Sequence, residues 1–230
     1  MARSFLHNQG NNEDSQFRSV GIRLIRGLSV ALILISTGTA SWAQRPEVSL
    51  KTFTAPDGTF QFTYPDVLTQ CKAQPEPSGD GYAWAQPECF AYIPLCNVGL
   101  GPDQSMACIA YPHNQYTNSP TFEGASLSVG ETNENERDCL SSSGARATKE
   151  IMIRGVKFRV FESGDAALGH ASRATSYATF HNGKCYGLGI TIVTISAQAF
   201  DPPAKELTKR QWAEVNRRLE QVRDSFRFLK

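Results

Sequence analysis

Between Thr59 and Tyr64 the chain alternates without a break: Phe60, Phe62 and Tyr64 fall on one side, and Thr59, Gln61 and Thr63 on the other. That is the period of a strand with one buried face. Val48 to Thr54 precedes it across Ala55-Pro56-Asp57-Gly58, a Pro- and Gly-bearing turn, so the two runs read as an opening hairpin. Residues 65 to 104 are rich in Pro and Gly and hold Tyr82, Trp84, Phe90 and Tyr92. They predict long loops around a short strand near Cys89 to Ile93. Met106 to Tyr111 and Ala125 to Val129 read as further strands, separated by the polar stretch Pro112 to Pro120.

The C-terminal half is better defined. Ile151 to Ile153 and Val156 to Phe161 flank Arg154-Gly155, and Ser172 to His181 and Lys184 to Thr194 flank Asn182-Gly183, the strongest short hairpin signal. A two-residue loop sets His181 opposite Lys184 and Phe180 opposite Cys185, which sorts the side chains onto two faces. Tyr186, Leu188, Ile190 and Ile192 share one with Tyr177 and Thr179. The other carries Ala174, Ser176, Ala178, Phe180, Cys185, Gly187 and Gly189, small enough for a second layer to approach closely. From Lys209 to Asp224 the period changes to three and four, through Trp212, Val215, Leu219, Val222 and on to Phe226. This is a helix with one apolar stripe against a sheet, opened by a capping box at Thr208 and Gln211. Glu206/Arg210 and Glu214/Arg218 are spaced as i, i+4 pairs on its solvated side. Phe226-Arg227-Phe228 closes the chain as a short strand.

The first 43 residues read differently. Arg18, Arg23 and Arg26 precede an apolar run from Leu28 to Ile35, broken by Ser29, and small residues follow to Ala43. This is the layout of a secretory signal peptide, with Ser41 and Ala43 placing cleavage after Ala43. The apolar run is too short to span a hydrocarbon core of about 30 Å as a helix. Residues 44 to 230 are then a single exported domain, secreted or periplasmic, with no membrane span after cleavage. Composition agrees: the 230 residues carry a formal net charge of +1, 40% hydrophobic and 20% charged residues, an ordinary globular balance. Without a basic excess the chain lacks the electrostatic footprint of a nucleic-acid binder.

All six cysteines, Cys71, Cys89, Cys96, Cys108, Cys139 and Cys185, lie beyond the cleavage site. An even number in an exported chain reads as a disulfide framework, and no pair has the C-x-x-C spacing of a metal knuckle. The final helix should cover the Tyr186/Leu188 face, so another element must lie over Cys185. The polar, helix-compatible segment Asn133 to Leu140 brings Cys139 there, which predicts a Cys139–Cys185 bridge and leaves the other four to pair in one of three ways.

Catalytic motifs are missing: there is no G-x-S-x-G, H-E-x-x-H, G-x-x-x-x-G-K-[ST] or EF-hand loop. Gly187-Leu188-Gly189 lacks the third glycine of a dinucleotide loop and sits inside a strand. His113, His170 and His181 remain, and Asp165, His170 and Ser172 are the residues from which a small hydrolase site could be assembled. No metal or cofactor is expected. Tyr82 and Trp84, among Gly79, Asp80, Gly81 and Pro87, place rigid amphipathic rings on flexible backbone, which suits contact with a partner.

The run Asp57-Gly58-Thr59-Phe60-Gln61-Phe62-Thr63-Tyr64-Pro65, the central hairpins and a last helix leading into Asp224-Ser225-Phe226-Arg227-Phe228 form an ordering that resembles the PsbP-like proteins. In particular it is similar to their uncharacterised exported bacterial relatives. The resemblance implies an α+β fold, an antiparallel sheet with helices packed on its faces as an α/β/α sandwich. It also implies a non-catalytic accessory or adaptor role toward a protein or envelope component. It carries over no functional residue, and the six cysteines and Pro-rich loops depart from the plant-type members.

Overall fold

The opening hairpin forms from Leu50–Thr54 (β1) and Phe60–Pro65 (β2), in a register that sets Phe53 against Phe62. The computed structural model describes residues 49–75, 82–84, 89, 95–96, 105–111, 113–141 and 147–230. The proposed leader, and most of the strand expected at Cys89 to Ile93, lie outside them. Beyond β2 come Thr69–Cys71 (β3), Ala73–Pro75 (β4), Tyr82–Trp84 (β5), Ser105–Ala110 (β6) and Phe122–Thr132 (β7). The four-residue helix Glu136–Cys139 (α1) then precedes Lys149–Ile153 (β8), Val156–Ala167 (β9), His170–His181 (β10) and Lys184–Ile195 (β11). Lys209–Ser225 (α2) and Arg227–Phe228 (β12) close the chain.

These strands make a seven-stranded sheet in the order β3-β6-β7-β11-β10-β9-β8, a three-stranded sheet β1-β2-β12, and the two-stranded β4-β5 ladder. Every pairing is antiparallel. The fold is therefore α+β, mostly sheet with few helices.

Three two-residue turns build the β8 to β11 meander. Arg154-Gly155, Leu168-Gly169 and Asn182-Gly183 each hold both residues at positive φ, 48° and 85°, 52° and 84°, and 49° and 80°. Such a left-handed pair matches the twist of the strands it joins, and glycine takes the second position without a steric penalty. The turn at Leu168 lies beyond the strands expected from the sequence, which end at Phe161 and resume at Ser172. Residues 162–167 are exposed throughout, so no buried face imposes an alternation, and pairing with β10 alone extends the strand. β7 contains the strand expected from Ala125 to Val129 and runs beyond it at both ends, from Phe122 to Thr132. At the sheet centre it is buried on consecutive residues from Gly124 to Gly130, Ser126 and Ser128 on one face alternating with Ala125, Leu127 and Val129 on the other. β3 has three residues, too few to show any period, and the stretch expected as loop after Pro112 contains a 3-10 turn at His113–Tyr116.

The two faces of the large sheet separate as the Asn182-Gly183 register requires, with Thr179 opposite Tyr186 and Phe180 opposite Cys185. One face packs Leu127, Val129, Leu188 and Ile190 with Phe60, Phe62 and the α2 residues Val215, Leu219 and Val222. The helix begins at the predicted cap, where Thr208 Oγ1 accepts from the Gln211 amide and the Gln211 side chain accepts from the Thr208 amide. Glu214 pairs with Arg218 as spaced. Glu206 precedes the helix, and no ion pair joins it to Arg210 among the described residues. The opposite face carries two smaller clusters. One gathers Cys71, Cys89, Leu95, Cys96, Cys108, Ala110 and Val193; the other gathers Cys139, Phe161, Ala178 and Cys185.

Tyr111 sits in the larger core at 0% exposure, its ring edge-on to Phe122 at 6.2 Å. Its hydroxyl finds no hydrogen-bond partner among the described residues, and burial pushes its pKa up. An unpaired buried hydroxyl costs free energy that a phenyl ring does not. Tyr111→Phe is therefore expected to stabilise the domain by about 1 kcal/mol, read as a higher urea midpoint at unchanged m value. A lower midpoint would reveal a bond to that hydroxyl.

Candidate functional site

Asp165, His170 and Ser172 do come together, at one end of the large sheet. Ser172 lies directly opposite Asp165 across the β9–β10 ladder, and these residues line one shallow pocket with Val193. The imidazole, however, is oriented by a residue the sequence reading did not single out. His170 Nδ1 lies 2.8 Å from Glu123 Oε2, with both side chains largely buried. Asp165 Oδ1 instead accepts from the amide of Ala166 at 2.8 Å. At Nδ1 the imidazole is thus held by Glu123, and not by the Asp165 of the alternative hydrolase site.

The cause lies in the β7–β11 ladder, whose register shifts where Val193 faces Gly124 and Thr194 faces Phe122. Glu123 is the extra residue of this irregularity, and a bulge re-aims the side chain it carries. The sequence offers only a weak cue, a carboxylate between Phe122 and Gly124 in an otherwise uncharged run. His181 stands far along the same strand and stacks on Phe228, ring centroids 3.9 Å apart.

Tyr82 and Trp84 occupy alternate positions of β5, which pairs with β4 so that Trp84 faces Ala73 and Tyr82 faces Pro75. Their side chains lie outside the described residues. The backbone differs from the expected loop in being a strand, and among the described residues its ladder joins neither larger sheet. A two-stranded ribbon of this length is marginal by itself in water. The Cys71–Cys89 bridge, Cα atoms 5.9 Å apart, closes the 18-residue loop that contains it.

The remaining cysteines pair as Cys96–Cys108 and Cys139–Cys185, with Cα atoms 5.5 and 5.4 Å apart. All six are buried. Three bridges fit an oxidising, extracytoplasmic compartment. No helix of the described residues is long and apolar enough to cross a membrane.

On the helix-covered face an open groove runs between α2 and the ends of β10 and β11. Ile192 and Trp212 line it together with Arg173, Lys209 and Glu206. Its charges are mixed, and it lies across the sheet from the Glu123–His170 pair.

No protein-family model matches the chain, and no curated protein matches it. Among solved structures it is similar to a protein of Bacteroides thetaiotaomicron VPI-5482, with 13% identity and a TM-score of 0.42 over 78% of this chain and 48% of that one. The chain thus spans about half the length of that protein. It is also similar to the PsbP of Synechocystis sp. PCC 6803, CyanoP, with 12% identity and a TM-score of 0.38 over 83% and 98% of the two chains. The Ran-binding protein Mog1p of Saccharomyces cerevisiae has 11% identity and a TM-score of 0.39 over 80% and 97%. The PsbP-like resemblance of the sequence has its counterpart in CyanoP, and at these values the likeness carries no functional argument.

Proposed function

We propose that the chain is an exported, non-catalytic binding or accessory module, secreted or periplasmic, acting on a protein or envelope component. Residues 44–230 form its one domain, and we read α2 on one sheet face with α1 on the other as a reduced α/β/α sandwich. The observation that carries the binding reading is the β4–β5 hairpin, which pairs with neither larger sheet among the described residues, lies inside a disulfide-closed loop and has Tyr82 and Trp84 at alternate positions of one strand. A closed loop loses less entropy on docking than an open one, and aromatic residues dominate interface energetics. The oxidised cysteines support export.

Two measurements test this. Intact mass of the exported protein is expected to begin at Gln44, and retention of residues 1 to 43 would remove the leader from the proposal. In affinity capture from secreted or periplasmic extract, a Tyr82→Ala/Trp84→Ala variant is expected to lose retention of the partner while keeping its denaturant midpoint. His170→Ala should retain it. Unfolding of the double variant would return these rings to the core. Turnover of a peptide, ester or glycan that disappears in His170→Ala would make the Glu123–His170 pair catalytic and the chain a hydrolase.

A further inference from the structure

The outer edge of β1 is open. Ala55 donates to the Phe60 carbonyl and Asp66 to the Ser49 carbonyl, both at 2.9 Å. In this antiparallel ladder Ser49, Lys51, Phe53 and Ala55 therefore bond to β2, and Leu50, Thr52 and Thr54 turn their N–H and C=O groups away from it. β1 has no second neighbour among the described residues, and Leu50 is 62% exposed. We propose that this edge is a homodimer interface, on which β1 of a second copy pairs antiparallel about a two-fold axis at Thr52.

A two-fold axis makes the contact isologous, so the strand has to complement itself. Centred on Thr52, the pairing sets Thr52 against its own counterpart and Leu50 against Thr54 in both directions, so every outward residue exchanges its N–H···O bonds. Threonine opposite threonine is a favourable cross-strand pair. On the other face Lys51 falls opposite Phe53, whose ring is half-buried and stacks on Phe62 at 5.0 Å. The lysine stem covers the open part of that ring while its ammonium stays in water. Moving the axis to Lys51 sets like charges face to face, which is unfavourable. Moving it to Phe53 carries Leu50 out of the ladder, opposite the turn at Pro56. The Thr52 register alone satisfies both backbone and side chains.

The large sheet guards its own edges against such pairing. β8 carries Lys149 and Glu150, with Glu150 paired to Lys157 and Arg159 of β9 at 3.3 and 3.6 Å. Where β9 runs on past β8, the Ala166 amide, which points away from β10, donates to Asp165 Oδ1 at 2.8 Å. β3 at the opposite edge has three residues. Charges, capped amides and shortness all blunt a strand edge. β1 has Lys51 as its one charge, and the Thr52 register accommodates it. Leu50, exposed in the single chain, gains cover from Thr54 of the second copy. A strand pair of this length buries less than a standard interface of about 1,600 Å², so the dimer is weak and forms between micromolar and millimolar concentration.

Sedimentation equilibrium of the full exported chain, from micromolar to millimolar, is expected to show a weight-average mass rising toward twice that of the monomer. Thr52→Lys and Thr52→Glu each place like charges across the axis and should weaken association by about tenfold. Both should keep the urea midpoint, since Thr52 is exposed. An equimolar mixture of the two variants should recover association, because opposite charges then meet. Hydrogen exchange of the wild type gives a reading free of substitutions: the amides of Leu50, Thr52 and Thr54 should slow as concentration rises, and those of β8 should not. A chain that stays monomeric at millimolar concentration overturns the proposal, as does a mixture of the variants that fails to associate. So does association that survives both Thr52 variants, which would put the contact elsewhere. Full protection of the β1 amides at the lowest concentration would put another segment of the same chain on the edge and overturn it as well.

Discussion

Cys139→Ser is expected to cost about 4 kcal/mol on the chain-entropy account of a bridge closing a loop of this length. The two cysteines are 46 residues apart, so the reduced, unfolded chain regains the freedom of the long segment that includes β8 and β9. Native packing adds to the loss. α1 has four residues, far below the length at which a helix sustains itself in water, and its buried residue is Cys139. The bridge fastens this turn over Phe161 and Ala178 on the small-residue face, beside the one hydrogen bond by which Arg159 of β9 donates to the Leu140 carbonyl at 3.0 Å. The Asn135 cap, whose Oδ1 accepts from the Asp138 amide at 3.1 Å, is exposed and local. It cannot hold the turn to the sheet. Urea unfolding should show the drop, and Cys185→Ser and the double variant should match it, since either change opens the same loop. Native-state hydrogen exchange is expected to report earlier opening at α1 than at the β10–β11 ladder. A shift below about 1 kcal/mol would mean that the segment from Cys139 to Cys185 is already constrained in the unfolded chain.

This bridge was also the one legible from residues, and the reason is physical. Asn182-Gly183 fixes a register, the register assigns Cys185 to the small-residue face, and the amphipathic stripe of α2 claims the opposite face. Each step follows from a local period. The pairing of Cys71 with Cys89 and Cys96 with Cys108 had no such chain of reasoning, because β3 is three residues long and its partner cysteines lie in Pro- and Gly-rich segments without a period. The same divide runs through the candidate site. Ser172 opposite Asp165 is a ladder relation and was within reach of the turn chemistry once Leu168-Gly169 is read as a third positive-φ pair. Leucine is an unusual occupant of that position, so the residues themselves do not announce the turn. Glu123 meeting His170 across 47 residues depends on a bulge, which has no signature in the pattern of apolar residues. The opening hairpin and α2, where alternation, turn and cap all agree, were legible to within one or two residues. Consistency between levels is what made them so.

Leu219→Ala is expected to cost roughly 2 to 5 kcal/mol. Leu219 is at 0% exposure and lies midway along the helical stripe of Val215, Leu219 and Val222. That stripe packs into the core that joins the small sheet to the large one through Phe60, Phe62, Leu127 and Leu188. Truncation removes about three methylene-sized groups from water-free contact. It also leaves a cavity that two sheets, each held by its own ladders, cannot collapse to fill. Helix propensity works the other way, since alanine is the better helix former, but by only a few tenths of a kcal/mol. The packing loss therefore decides the sign. Arg217→Ala is the control on the same helix. Its guanidinium is exposed and donates to Gln221 Oε1 at 3.1 Å, a surface contact whose loss should move the midpoint by at most about 0.5 kcal/mol. Chemical denaturation of the three proteins separates the cases. If Leu219→Ala and Arg217→Ala unfold at the same urea concentration, α2 does not seal the core between the two sheets.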